Sequence, residues 1–142
     1  MAANFLIDTG AILALLDKTD RWNRPCITAF QKLRLPALTS EAVLAEVFHL
    51  AHRSRTQMET VWKFVRSGVI QLATIEDSEL NQIQALMIRY RDTPMDFADA
   101  TLVFLAERES LSVVLTVDQS EFHTYRIGSK SRFHVLPEQQ RR

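Results

Sequence analysis

Apolar runs of strand length alternate along this chain with longer stretches of helical periodicity, and that alternation restricts the fold more than any other feature. Strands separated by helices build βαβ units, whose crossovers make the strands parallel. Residues 4–7 (Asn-Phe-Leu-Ile) read as the first strand, followed by a helix over 10–16. Pro25 suits the first position of a helix reaching about residue 33. Pro36 breaks the chain before a short strand at 37–39, and Ser40 is placed to cap a helix over 41–52. Thr56-x-x-Glu59 is a capping-box pattern, with Gly68 as the stop, for a helix over 57–67. Residues 69–73 alternate as a strand, and Leu80, Ile83, Leu86, Met87 and Tyr90 mark a helix over 77–91. A helix over 96–109, a valine-rich buried strand over 112–117 and a last, irregular strand over 126–136 complete the reading.

A chain of 142 residues is one domain with a single sizeable core. Lys plus Arg and Asp plus Glu both number 17, so no global field recruits nucleic acid or membrane, and any polyanion site is local. Two stretches lean basic: Arg126, Lys130, Arg132, Arg141 and Arg142 near the end, and Arg53, Arg55, Lys63 and Arg66 in the middle. Each reads first as solubilising charge. Cys26 is the one cysteine, which excludes a disulfide framework and a thiolate metal site and suits a reducing compartment. The amino-terminal residues lack the pattern of a signal peptide, and the longest apolar run, 11–16, is far too short to span a bilayer. A cytoplasmic protein with no membrane partner is expected.

Four carboxylates fall where these elements end or turn. Asp8 closes the first strand, Asp118 closes Val113-Val114-Leu115-Thr116-Val117, Glu46 interrupts the apolar helix Val43–Phe48, and Asp99 lies in the helix opened by Asp96. Each has a plain structural reading. Asp8 and Asp118 suit helix caps or turns, Asp96 suits an amino-terminal helix charge, and Glu46 suits the wet face of an amphipathic helix. Asp99 resists that reading, because Phe97, Ala98, Ala100, Leu102 and Val103 around it describe a buried helix, where a charge is seldom left unpaired. Recurrence tips the balance: separate elements each deliver an acid to the same edge of one sheet, where open α/β folds bind ligands. Acids crowded there repel unless a cation compensates them, and hard divalent ions with oxygen ligands are the usual solution. Thr9 and Gly10, directly after Asp8, add a hydroxyl and room for close approach.

Other chemistries find little support. His49, His52, His123 and His134 lack zinc-helix spacing, and the glycines form no phosphate-binding loop. No serine sits in a nucleophile elbow. Trp22 and Trp62 read as core or interface residues.

Taken together, Phe5-Leu6-Ile7-Asp8-Thr9-Gly10, Leu38-Thr39-Ser40 with Leu44-Ala45-Glu46-Val47, Met95-Asp96-Phe97-Ala98-Asp99-Ala100, and Leu115-Thr116-Val117-Asp118 before Phe122 resemble the PIN-domain family. That family includes the VapC-type toxins of bacterial toxin–antitoxin pairs. The resemblance implies a three-layer α/β/α fold with a central parallel sheet over residues 1–137, followed by a short polar and basic tail over 138–142. It also implies a ribonuclease dependent on Mg²⁺ or Mn²⁺, acting on RNA, usually homodimeric, with a protein antitoxin as a potential partner. By motif position Asp8, Glu46, Asp99 and Asp118 match the family's acidic site. Asp8 and Asp99 match the principal metal ligands, and Asp118 helps to hold or orient the ion. Asp96, Thr116 and Thr9 are accessory. Two other readings stand beside this one: a PIN-fold binding module recruited by a protein partner with little or no nuclease activity, and a non-nuclease phosphohydrolase. The second lacks its Asp-x-Asp nucleophile at Asp8-Thr9-Gly10.

Overall fold

The computed structural model describes residues 2–138. In chain order the elements are β1 (Phe5–Ile7), α1 (Thr9–Leu16), α2 (Asn23–Lys32), β2 (Ala37–Ser40), α3 (Glu41–Ala51), α4 (Arg55–Arg66) and β3 (Ile70–Ala73). A 3₁₀ turn at Asp77–Glu79 leads into α5 (Leu80–Arg89), then α6 (Phe97–Arg108), β4 (Val113–Leu115) and α7 (Gln119–Thr124). Two-residue strands β5 (Arg126–Ile127) and β6 (Ser131–Arg132) precede β7 (His134–Leu136).

Five strands form one sheet in the order β3-β2-β1-β4-β7, and every neighbouring pair is parallel. Leu6 at its centre lies opposite Leu38 of β2 on one side and Val114 of β4 on the other. Helices cover both faces, giving the expected α/β/α layers. A strand covered on both faces needs no polar alternation, which is why Phe5-Leu6-Ile7 is apolar throughout and fully buried. The edge strand β3 hides only Ala73. Helix α6 is buried along most of its length, Ala98 and residues 100–106, and it packs against α3, α5 and β2. Among the described residues, no helix is long and apolar enough to cross a membrane.

Ser40 caps α3 through its side chain, which accepts from the Val43 N–H at 3.2 Å. Gly68 adopts φ +93° after α4, a conformation that glycine reaches without strain. Several boundaries differ from the sequence reading. Helix α4 is capped by Ser54, which accepts from Gln57 N–H at 3.2 Å, so the Thr56–Glu59 pair lies inside the helix rather than at its start. Both hydroxyls precede the same apolar stripe, and the earlier one wins. Pro25 is the third residue of α2, still within the first turn, where its missing N–H costs nothing. The expected strand over 126–136 is instead an antiparallel β5–β6 hairpin followed by β7. Helix α7 was not anticipated. Of the tail over 138–142, only Glu138 falls within the described residues.

Candidate functional site

The strand order reverses beside β1: β2 and β3 extend the sheet one way, β4 and β7 the other. At such a switch point the connections leave in opposite directions and open a crevice beyond the carboxyl ends of the strands. Asp8 directly follows β1, and Thr116 to Asp118 follow β4, so both strands deliver an acid to that crevice. Helix α3 leaves the same edge from β2 and brings Glu46. The first turn of α6 brings Asp99, with Asp96 as its N-cap. Asp8, Thr9, Gly10, Glu46, Asp96, Asp99 and Asp118 line one cleft of about 250 Å³. A larger hollow of about 940 Å³ lies between α2 and the end of β7, but its wall is mainly apolar, with Trp22, Pro25, Leu33 and Leu136, and Arg24, Lys32 and Glu138 are its charged residues. The chemistry concentrates in the smaller one.

Hydroxyl and amide donors fix the acids. Asp8, 3% exposed, is both cap and cleft residue: one oxygen accepts from Ala11 N–H at 3.0 Å, and the other accepts from the Thr116 hydroxyl. Thr116 Oγ1 also accepts the Asp118 N–H at 2.9 Å, so one buried side chain joins two of the acids. Thr9 donates to Glu46 Oε1 at 2.7 Å, turning that residue inward rather than toward open water. Asp96 and Asp99 form a reciprocal capping box, Asp99 N–H to Asp96 at 2.8 Å and Asp96 N–H to Asp99 Oδ2 at 3.3 Å. Asp96 therefore does satisfy its plain helix-start reading, while its exposed carboxylate still lines the cleft. Gly10 is required for a reason other than ligand approach alone: a Cβ there would overlap Val117 Cγ2, on the loop that carries Asp118.

Burial and crowding disturb the acids' ionisation. Loss of hydration pushes the Asp8 pKa up to about 7 despite its two donors, with Asp118 and Glu46 adding repulsion. Burial, then the neighbouring Asp96 charge, pushes Asp99 up to about 8. Glu46 is raised by burial together with Asp96 and Asp118. Asp118, at the rim, is raised by partial desolvation and by Glu121 and Asp96. Among the described residues none of these acids is ion-paired, and no group of three or more His, Cys, Asp or Glu side chains is already arranged to hold an ion. The donor set is entirely oxygen, like-charged and convergent on one cleft, which is the chemistry a hard divalent cation takes.

Sequence reasoning missed two contributors. Ser40 and Thr101 share a hydrogen bond of 2.8 Å, tying the start of α3 to α6 beside the cleft. Tyr125 reaches Asp99 from 26 positions away, and nothing local in the sequence marks it. The four histidines are all exposed and lie outside the cleft, and Trp62 is half-exposed against Phe48.

The chain is similar to known proteins in sequence and in fold. Ribonuclease VapC26 of Mycobacterium tuberculosis is 29% identical over 134 residues, spanning 93% of this chain and 99% of that protein. Among solved structures, the Mycobacterium tuberculosis toxin VapC20, described as cleaving the sarcin–ricin loop, superposes with a TM-score of 0.71. That structure is 18% identical, covering 78% of this chain and 87% of its own, and the likeness shows a shared fold. The family model for the PIN domain matches residues 5–127. With its match spanning all four acids and every strand of the central sheet but β7, this chain belongs to the PIN-domain family.

Proposed function

We propose that this chain is a ribonuclease that hydrolyses RNA phosphodiester bonds with Mg²⁺ or Mn²⁺ held by its acidic cleft. The observation that carries the reading is the convergence of Asp8, Glu46, Asp99 and Asp118 from four separate elements onto one cleft, with no cation among the described residues paired to them. The similarity to a protein named as a ribonuclease supports RNA as the substrate class.

Asp8, Asp99 and Asp118 would hold the ion. When bound, a divalent ion polarises a phosphoryl oxygen and makes a coordinated water more acidic. Thr116 keeps Asp8 and the Asp118 backbone in register, and Thr9 fixes the rotamer of Glu46. Glu46 faces the cleft from the α3 wall, where it would either complete the ion's coordination or position the attacking water. Asp96 contributes charge at the rim and starts α6 in the correct place. A protein antitoxin is the inferred partner, from the resemblance to VapC-type toxins. A second copy of this chain is the inferred subunit partner, with exposed Trp62 packed on Phe48 and exposed Leu50 beside the cleft as its contact surface.

The test is cleavage of mixed cellular RNA in Mn²⁺ by wild type and Asp99→Asn. The substitution keeps the side chain's size and removes the charge, so wild type should cleave and the variant should lose about a thousandfold, or ~4 kcal/mol of transition-state stabilisation. Equal cleavage would refute the assigned mechanism, and no cleavage by wild type of any RNA would favour the binding-module reading.

A further inference from the structure

We infer that Tyr125 is a positioning residue for Asp99, selecting which carboxylate oxygen Asp99 presents to the cleft. The inference rests on the metal-dependent reading above. Three of the four acids have a hydroxyl aimed at them: Thr116 at Asp8, Thr9 at Glu46 and Tyr125 at Asp99. The two threonines stand beside the acids' own motifs. Tyr125 arrives from the carboxyl end of α7 and is fully buried.

Its ring cannot swing. Tyr90 and Phe122 meet it edge-on, with centroids 5.1 Å and 5.2 Å away, and Phe133 closes the cluster behind Phe122 at 5.3 Å. A phenol buried this way must place its O–H on a partner. Two acceptors lie within reach, Pro94 O at 3.3 Å and Asp99 Oδ2 at 3.5 Å. Both distances exceed the usual O–H···O range, so each contact is weak and the hydroxyl stands between the two acceptors. The Asp96 N–H meets the same Oδ2 at 3.3 Å. Two donors thus approach one oxygen of a residue that lines the cleft, and among the described residues Oδ1 accepts no hydrogen bond. Outer contacts of this kind orient metal-binding side chains, and their loss typically costs 10–100-fold in affinity. The same tyrosine also ties Pro94, in the loop before α6, to the helix that carries the acid.

Removing only the hydroxyl tests this. Tyr125→Phe keeps the aromatic cluster, and Tyr90→Phe is the matched control. Tyr90 accepts the Arg126 N–H at 2.9 Å in the same cluster, and among the described residues it makes no hydrogen bond to the acids. Mn²⁺ affinity of each purified protein, measured by calorimetry without RNA, should fall about tenfold in Tyr125→Phe and stay within twofold of wild type in Tyr90→Phe. In an Asp99→Asn background Tyr125→Phe should cause no further loss, because the residue it positions has been neutralised. Unchanged affinity in Tyr125→Phe, an equal loss in Tyr90→Phe, or an undiminished loss in the Asp99→Asn background would each overturn the proposal. A wild type that binds no Mn²⁺ would remove the metal reading itself, a failure visible before any tyrosine variant is made.

Discussion

Asp8→Asn should make the metal-free protein more stable at alkaline pH. In the folded state Asp8 keeps its proton until about pH 7, whereas its ordinary value is 3.8. Between those values the folded chain holds a proton that the unfolded chain has released, so stability falls as pH rises through that window and levels off above it. A pKa displaced from 3.8 to about 7 corresponds to about 4 kcal/mol, lost in full by about pH 8 and absent below about pH 4. Asparagine has no such cost. Its amide oxygen can still accept the Ala11 N–H as a cap, and its amide nitrogen can donate to Thr116 Oγ1; the Thr116 hydroxyl then loses Asp8 as its acceptor, a cost that does not vary with pH. The measurement is thermal unfolding in a chelator from pH 4.5 to 8.5. For a domain of this size the difference amounts to roughly 10–15 °C in favour of Asp8→Asn at the alkaline end, shrinking to roughly a quarter of that at pH 4.5. Melting curves that run parallel across the range would refute the reasoning, since they would mean that Asp8 folds with no ionisation penalty.

Millimolar Mn²⁺ should raise the melting temperature of wild type, by about 2.7 kcal/mol in stability at a hundredfold excess over Kd, and should raise that of Asp8→Asn less; equal responses would remove Asp8 from the ligand set. Asp96→Asn should keep both fold and most of the RNA cleavage that Asp99→Asn loses, because asparagine caps a helix as well as aspartate does; equally dead variants would make Asp96 part of the chemistry. Gly10→Ala should cost about 1–3 kcal/mol by driving a methyl into Val117, and an unchanged melting temperature would show that the loop carrying Asp118 yields freely. Light scattering at micromolar concentration should give about twice the monomer mass of 16.3 kDa, falling toward the monomer in Trp62→Glu; a monomeric wild type would remove the dimer.

How much of this could be read from the chain depends on how local each signal is. Phe5-Leu6-Ile7 and Val113-Val114-Leu115 announce themselves because central parallel strands are apolar on both sides. Ser40 and Gly68 were legible as helix punctuation because caps and left-handed turns demand particular residue types. The stretch after Asp118 was not. Helix α7 is six residues long and β5 and β6 two each, too short for any period to emerge, and what holds them is packing of Phe122, Tyr125 and Phe133 onto the core. At the cleft, the acids and threonines lie in their own motifs and could be named, whereas Tyr125 and the Ser40–Thr101 bond depend on which elements become neighbours. For Asp8 the sequence posed cap against cleft as alternatives; one carboxylate with two oxygens serves both.

The interleaved strand order has a consequence for the chain as it is synthesised. β4 pairs beside β1 within the sheet, yet more than a hundred residues separate the two in the chain, and Asp118 follows it. A nascent chain that has emerged only as far as α6 already carries Asp8, Glu46 and Asp99, but it lacks the strand that supports Asp8 through Thr116. No fragment ending before residue 113 can assemble the cleft. Chemistry that requires all four acids therefore demands a chain that extends through β4 and Asp118.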